Sequence, residues 1–147
     1  MRFSLQVQYA ICGAFDIAYN ADAEPVQVRV ISERQGIPAR YLEQIFQRLR
    51  RAGLVTSKRG PGGGYTLAHP AAEIDLRQIV EAVEGPVDVA PRVQENAGAA
   101  HRPDFAWAGL SLRLASMLEE TTLDDLCRAA AQADIPRAES EAPMYFI

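Results

Sequence analysis

Residues 28–53 are VRVISERQGIPARYLEQIFQRLRRAG. The apolar spacing at the start of this stretch predicts a short helix over 28–35, and Gly36 supplies the break expected at a helix C-terminus. Pro38 then occupies a first-turn position, where its missing N–H costs nothing, so a second helix is predicted from Pro38 to Ala52. Two helices joined by a tight glycine turn indicate a helix-turn-helix.

The second of these helices has two chemically different faces on a helical wheel. One face is apolar and is expected to pack on the core, and it consists of Leu42, Ile45, Phe46 and Leu49. The opposite face carries Arg40, Gln44, Gln47 and Arg51. Arginine pairs with guanine edges or phosphates and glutamine pairs with adenine, so this face is suited to base recognition in a major groove. An ordinary amphipathic surface helix would show the same two faces, so other segments must decide between the two interpretations.

A basic hairpin follows the helix. The residue types at 54–57 and 65–68 predict two short strands around the loop Lys58-Arg59-Gly60-Pro61-Gly62-Gly63-Gly64. A basic tip on a thin hairpin can enter a minor groove, which favours a DNA-binding wing. A flexible hairpin without a DNA role is one alternative, and a phosphate cradle is another. The cradle is disfavoured because a Walker loop continues with Gly-Lys-Ser/Thr and a helix, whereas a strand follows here.

The rest of the chain is expected to be helical. Apolar periodicity predicts helices over 5–19, 74–83, 105–120 and around 123–130. The predicted fold is therefore mostly α with a small β-hairpin wing: a winged helix-turn-helix at 1–85, a loop at 86–104, a dimerisation helix and a short last helix at 105–134, and a mobile tail at 135–147. The helix at 105–120 carries a single apolar stripe, which needs a partner surface on a second subunit or on the first helix. The stripe consists of Trp107, Leu110, Leu114 and Leu118.

Composition narrows the function further. The 147 residues carry a net charge of −4, but residues 1–69 hold nine Lys/Arg against five Asp/Glu, a net +4, so the first half can face phosphates. No apolar run approaches a membrane span and the start lacks a secretory pattern, which predicts a cytoplasmic protein without a membrane partner. Two distant cysteines predict neither a disulfide framework nor a zinc site. No nucleophile–base pair, metal-ligand spacing or complete phosphate loop indicates an enzyme.

Five motifs together resemble the Rrf2 family of bacterial transcriptional regulators, which includes IscR, NsrR and CymR. They are Ile31-Ser32-Glu33-Arg34-Gln35-Gly36-Ile37, Tyr41-Leu42-Glu43-Gln44-Ile45-Phe46, Leu49-Arg50, Gly53-Leu54-Val55 and Arg59-Gly60-Pro61-Gly62-Gly63-Gly64-Tyr65. The resemblance covers about residues 1–85. It implies a homodimer, most often a repressor, that binds double-stranded DNA at a partly palindromic promoter site. It also implies that the long C-terminal helix crosses its counterpart, which would make Trp107, Leu110, Leu114 and Leu118 dimerisation residues.

The expected DNA contacts follow from the faces and the resemblance together. Base and phosphate contacts are expected from the recognition helix and the wing, Glu43 is expected to tune base preference, and Arg2 is expected to touch a backbone phosphate. The full set of candidates is Arg2, Arg40, Tyr41, Glu43, Gln44, Gln47, Arg48, Arg51, Lys58, Arg59, Gly60, Gly62, Gly63 and Tyr65. The rival interpretation is a protein-interaction module that kept the fold but lost DNA binding, and the basic face and wing argue against it.

The chain departs from the family pattern between the fourth helix and the dimerisation helix. Many relatives hold an iron–sulfur cluster there with three cysteines, but residues 87–106 contain none. The segment offers only Asp88, Glu95, His101 and Asp104, which are poor substitutes for thiolates. We therefore expect no conventional cluster and no other metal, and we expect Cys127 to be a core thiol. A small-molecule effector, a protein effector and no effector all remain open.

Overall fold

The computed structural model describes residues 2–90 and 99–138. Within them the predicted architecture is confirmed: six α-helices surround a core and a two-stranded antiparallel hairpin projects from it. The elements are α1 Leu5–Asn20, α2 Val28–Gln35, α3 Ala39–Arg51, β1 Val55–Lys58, β2 Gly64–Leu67, α4 Leu76–Glu84, α5 Ala106–Glu119 and α6 Leu123–Gln132. A single 3-10 turn, Ala71–Glu73, precedes α4. The strands begin and end within one residue of the predicted ranges, and Glu95 lies outside the described residues.

The core forms where α1, α3 and α4 meet. All four apolar residues of α3 are buried, which confirms the predicted packing face. Gly13 on α1 allows the two helices to approach closely, because a Cβ there would lie 3.0 Å from the Phe46 ring. Each large apolar side chain removed from water in this core contributes about 1.5–3 kcal/mol before entropy costs are subtracted. This packing fixes the opposite, polar face of α3 toward solvent.

The helix ends have identifiable caps. Gly36 ends α2 in the left-handed conformation, with φ of 67°, as its position in the sequence predicts. Capping boxes begin α4 at Asp75 and α6 at Thr122. These two helix starts also pair with each other, since the Leu76 N–H donates to the Thr121 carbonyl at 2.9 Å and the Leu123 N–H donates to the Ile74 carbonyl at 2.9 Å. The chain leaving α5 is thereby returned to the start of α4.

The apolar stripe of α5 is divided between two environments. Leu118 is only 5% exposed and belongs to the same core as α1 and α4, while Leu114 packs against that core. Leu110, further toward the N-terminus, is exposed. Leu114 and Leu118 therefore pack within their own chain rather than on a second subunit. The hydrogen bonds between the starts of α4 and α6 hold the C-terminal half of α5 in this position. The outer apolar residues are Phe105, Leu110, Leu112 and Met117.

Residues 135–138, the described part of the predicted tail, contact α1. The Tyr19 hydroxyl donates to the Ile135 carbonyl at 2.6 Å, and the Ala138 N–H donates to Asn20 Oδ1 at 2.7 Å. The Arg137 guanidinium lies 4.9 Å from the centre of the Tyr19 ring. Buried Tyr19 and half-buried Asn20 therefore contact the first residues of the predicted tail, and residues 139–147 lie outside the described residues.

Across the two described ranges, no helix has the length and apolar character needed to cross a bilayer.

Candidate nucleic-acid interface

The polar face of α3 is presented to solvent as a continuous surface. Its exposed members, here called the reading face, are Arg40, Glu43, Gln44, Gln47 and Arg51. A helix of this length extends about 20 Å, which suits a major groove. Tyr41 flanks the face, and its hydroxyl accepts a hydrogen bond from Arg40 Nη2 at 3.0 Å. The Arg40 guanidinium also lies 4.8 Å from the Tyr41 ring centre, so the two side chains form one unit at the start of α3.

Arg48 is placed differently from the other predicted DNA contacts on α3. It is half-buried, and its Nη1 donates to Gln6 Oε1 at 2.7 Å and to the Val83 carbonyl at 3.1 Å. These bonds join α3 to α1 and to the end of α4. The structure therefore gives Arg48 an internal role in holding α3, and its contact with DNA stays a prediction.

The wing is a regular hairpin with an open, basic tip. Val55 pairs with Leu67 and Lys58 pairs with Gly64, and the Gly63 N–H closes the turn on the Gly60 carbonyl at 2.9 Å. Gly60 and Gly62 both have positive φ, which only glycine adopts without strain. Gly63 is buried, and a Cβ on it would lie 2.3 Å from the Lys58 carbonyl oxygen. The exposed residues at the tip are Lys58, Arg59, Gly60 and Gly62.

The base of the wing is fixed to the recognition helix. The Tyr65 ring lies 4.8 Å from the Phe46 ring of α3, and its backbone pairs with Val26 through hydrogen bonds of 2.8 and 2.9 Å. Gly64 allows this close approach, since a Cβ there would lie 2.4 Å from the Val26 carbonyl oxygen. Tyr65, a predicted DNA contact, is thus half-buried and positions the wing. The tip and the reading face consequently keep a fixed relation to each other.

Sequence reasoning missed Arg50 as a member of this surface. Arg50 is exposed, and its Nη1 donates to Ser57 Oγ of β1 at 3.1 Å. It lies seven residues after Glu43 and therefore on the same edge of the reading face. This seven-residue spacing could have identified Arg50 from the sequence. Its position between helix and wing adds a further positive charge where the two elements meet.

The exposed positive charge of residues 1–69 is concentrated on α3 and the wing. Three of the nine cations in the first half are engaged elsewhere, because Arg34 pairs with Asp16, Arg29 pairs with Glu33 and Arg48 has the internal bonds described above. The exposed cations on α3 and the wing are Arg40, Arg50, Arg51, Lys58 and Arg59. This concentration of positive charge is what a polyanionic backbone would meet.

Comparison with known proteins identifies this arrangement. The family model described as "Rrf2: Iron-dependent Transcriptional regulator" matches residues 3–129. The chain belongs to the Rrf2 family. As predicted, this Rrf2 protein is thus a DNA-binding transcriptional regulator of the IscR-like type and not an enzyme.

Individual Rrf2 relatives agree in sequence and in fold. The chain is 40% identical over 155 residues to the HTH-type transcriptional regulator IscR of Salmonella agona, covering 97% of this chain and 94% of that protein. It is 41% identical over 139 residues to IscR of Escherichia coli O1:K1, covering 92% and 85%. Among solved structures, T. potens IscR has a TM-score of 0.73 at 28% identity, covering 94% of each chain. CymR, the global cysteine regulator of B. subtilis, also has a TM-score of 0.73 at 28% identity, covering 88% and 98%.

The side chains of this Rrf2 member do not fit a cysteine-ligated cluster. Its two cysteines lie on different helices, Cys12 on α1 and Cys127 on α6. Cys127 is half-buried and lies outside the hydrophobic core, so the expectation of a core thiol is wrong: the core side of α6 is formed by Leu123, Leu126 and Ala130. Burial raises the pKa of both thiols. Asp104 accepts a hydrogen bond from Trp107 Nε1 at 3.1 Å and pairs with Arg102 at 3.2 Å. Among residues 2–90 and 99–138, no three His, Cys, Asp or Glu side chains converge as a metal site would require.

Proposed function

We propose that this Rrf2 protein is a cytoplasmic, homodimeric repressor that recognises a partly palindromic promoter site without a conventional iron–sulfur cluster. In this proposal α3 lies in the major groove and the tip of the wing lies in the adjacent minor groove. The observation that carries the proposal is the rigid connection between the reading face of α3 and the basic wing. Phe46, Tyr65 and Val26 form that connection through ring packing and paired backbone hydrogen bonds.

Base recognition is assigned to the exposed residues of α3. Arg40 and Arg51 suit guanine edges or phosphates, and Gln44 and Gln47 suit adenine. Glu43 suits a cytosine amine on the same face. The cations of the wing contribute attraction to phosphates, which carries no sequence information but fixes the register of the protein on the duplex. Arg2, exposed just before α1, is assigned a backbone phosphate.

The homodimer is proposed to form through the outer face of α5. Phe105 is 87% exposed and Leu112 is 67% exposed on one side of the helix, and Leu110 and Met117 are exposed on another side. Exposed apolar side chains in this number on one helix are typical of an element that another protein covers. A second copy that crosses α5 would present two reading faces to successive turns of the major groove, about 34 Å apart.

The potential metal ligands in residues 87–106 support regulation without a cluster. Residues 87–106 contain no cysteine, and Asp104, one of the two aspartates there, already has protein partners. The signal that controls this regulator is therefore proposed to be a small molecule or a protein partner.

The test is quantitative binding to an enriched duplex. A random-sequence duplex library is selected against the wild-type protein, and the enriched duplex is labelled for fluorescence anisotropy. Arg51→Ala and Gln47→Ala should each weaken binding by about 1–3 kcal/mol, and affinity should fall steeply with salt because bound counterions are released. Arg128→Ala is the matched control, since Arg128 is an exposed arginine paired with Asp124 on α6, away from the reading face.

Two outcomes would contradict the proposed role of α3. If no duplex is enriched, or if Arg51→Ala and Gln47→Ala bind the enriched duplex as tightly as Arg128→Ala does, α3 is not the reading helix. In the first case, the protein would act through protein contacts rather than through DNA.

A further inference from the structure

The residues after α6 reach back to the helix-turn-helix. Residues 135–138, here called the strap, lie across the C-terminal end of α1, where Tyr19 and Asn20 hold them by hydrogen bonds of 2.6 and 2.7 Å. Arg137 of the strap stacks on the Tyr19 ring. Tyr19 is buried and its ring is also stacked on Phe15, 5.2 Å between centroids, so the strap rests on a rigid surface.

Asn20 connects the strap to the interior. Its Oδ1 accepts the Ala138 N–H, and its Nδ2 donates to Asp16 Oδ2 at 3.3 Å. An asparagine amide has its acceptor on one branch and its donors on the other. The bond from the strap therefore selects the amide orientation in which the donor points at Asp16.

Asp16 is the anchor of α2. The carboxylate is completely buried on α1, and it accepts two hydrogen bonds from Arg34, at 3.1 Å from Nε and 2.6 Å from Nη2. Gln35 Nε2 donates a further bond at 2.9 Å. Arg34 and Gln35 are the last two residues of α2. A buried carboxylate is tolerated only when its lone pairs are satisfied, so the donor from Asn20 completes the set.

The position of α2 depends heavily on this anchor. The helix has eight residues, and Ile31 is its one fully buried residue. A helix this short is marginal by itself and takes its place from its contacts with the rest of the fold. Beyond Gly36 and Ile37 the chain enters α3, so a shift of α2 is transmitted directly to the start of the reading helix.

We propose that Asn20 and the strap are positioning elements for DNA recognition, which hold α2 in its binding orientation through Asp16 and Arg34. Neither Asn20 nor the strap touches the reading face, and each acts through the buried ion pair. The proposal rests on the proposed function, since it requires α3 to be the helix that recognises DNA.

Full-length substitutions separate this role from general stability. Ala138→Pro removes the N–H that donates to Asn20, whereas Ala138→Gly keeps it. Asn20→Asp keeps the acceptor for Ala138 but places a second carboxylate oxygen against Asp16. If Asn20 only held the strap, Asn20→Asp would behave like the wild type. If Asn20 positions the anchor of α2, Asn20→Asp should be the most damaging of the three.

Two readouts are used: the affinity for the enriched duplex, and amide hydrogen exchange in α2 measured without DNA. Ala138→Pro should weaken binding about three- to tenfold, as for one lost hydrogen bond, and Asn20→Asp should weaken it further. Both variants should exchange faster at α2, with an unchanged dependence of affinity on salt because no phosphate contact is lost. Ala138→Gly should stay within about twofold of the wild type. Thr122→Ala removes a cap at the opposite end of α6 and should lower the melting temperature without these effects.

The proposal is overturned if Ala138→Pro and Asn20→Asp leave both the affinity and the exchange at α2 unchanged. It is also overturned if Thr122→Ala reproduces their effects at equal loss of stability. If the wild type binds no duplex at all, the proposed function fails, and the exchange at α2 alone then decides whether the strap positions that helix.

Discussion

The ring of Tyr65, at the base of the wing, packs on the ring of Phe46 in the recognition helix, with 4.8 Å between centroids and 32° between planes. Tilted aromatic pairs at this distance are favourable beyond the area they bury. Because Phe46 is completely buried, the contact ties the wing to the interior of the core.

Tyr65 is therefore expected to act through its ring. Tyr65→Phe should retain both stability and DNA affinity, whereas Tyr65→Ala should lower the free energy of unfolding by about 2–4 kcal/mol and weaken binding. Urea unfolding and anisotropy with the enriched duplex measure the two effects. A Tyr65→Phe protein that is fully stable but binds DNA more than tenfold more weakly would instead show that the hydroxyl contacts DNA.

The three consecutive glycines of the wing are expected to differ in tolerance. Gly64→Ala places a Cβ 2.4 Å from the Val26 carbonyl oxygen, so the backbone at Val26 must move away and the loss of stability should exceed about 2 kcal/mol. Gly62→Ala is the matched control, since its φ is also positive but no atom lies within 4 Å of the added Cβ. Its cost should be about 1 kcal/mol. Equal losses in urea unfolding would contradict the close approach of Gly64 to Val26.

Because α5 has both core and exposed leucines, substitution of the two types should have different effects. Leu118→Ala should destabilise the folded chain by about 2–5 kcal/mol, because Leu118 is a core residue. Leu112→Ala should leave the secondary structure intact and weaken self-association, as measured by sedimentation equilibrium over a range of concentrations. Arg113→Ala, an exposed neighbour, is the control. A wild-type protein that is monomeric at every concentration, or a Leu112→Ala dimer of unchanged strength, would argue against the proposed interface.

The cysteines are expected to behave as ordinary, partly buried thiols. Because burial raises the pKa of Cys12 and Cys127, the folded state holds these protons more tightly than the unfolded state does. Their contribution to stability is complete below the usual thiol pKa and is lost as the pH rises through the higher folded-state pKa. The midpoint of urea unfolding should therefore fall between about pH 8 and pH 10, and less so in a Cys12→Ala, Cys127→Ala double variant. An identical decline in the double variant would assign it to other groups.

The Cys12→Ala, Cys127→Ala double variant also tests whether the protein binds an iron–sulfur cluster. Protein purified without oxygen should be colourless and free of iron and sulfide, and removal of both cysteines should leave DNA affinity within about twofold of the wild type, since a cluster needs thiolate ligands. A brown, iron-loaded wild type that loses its colour in the double variant would show that the two distant thiols do bind iron.

Local signals in the sequence were sufficient for much of the fold. Gly36 and Pro38 set the turn of the helix-turn-helix, and the 3.6-residue period of α3 identified its buried side, because both depend on backbone geometry within a few residues. The polar side of α3 followed from the same period. The wing was also found locally, since its glycines and basic residues are adjacent in the chain.

Contacts between residues far apart in the chain could not be predicted from such local signals. The sequence predicts that Leu110 and Leu118 share a stripe, but which surface covers each depends on where α5 lies relative to α4. The burial of Asp16 and the internal bonds of Arg48 likewise depend on helices far away in the chain. A charged residue predicts exposure on average, and only its tertiary partners reveal the exceptions.

The pairing of the starts of α4 and α6 makes α5 a lever with one clamped end. The clamp lies at Ile74 and Leu123, where Leu118 nearby is 5% exposed, whereas Phe105 at the other end is 87% exposed. Its 14 residues span about 20 Å, so a tilt of about 10° at the clamp moves the far end by about 3–4 Å. In a pair of crossed levers, the angle between the two DNA-binding units would be set mainly by the clamps. In the proposed homodimer, a small change in the clamp angle would thereby change the spacing of the two recognition helices.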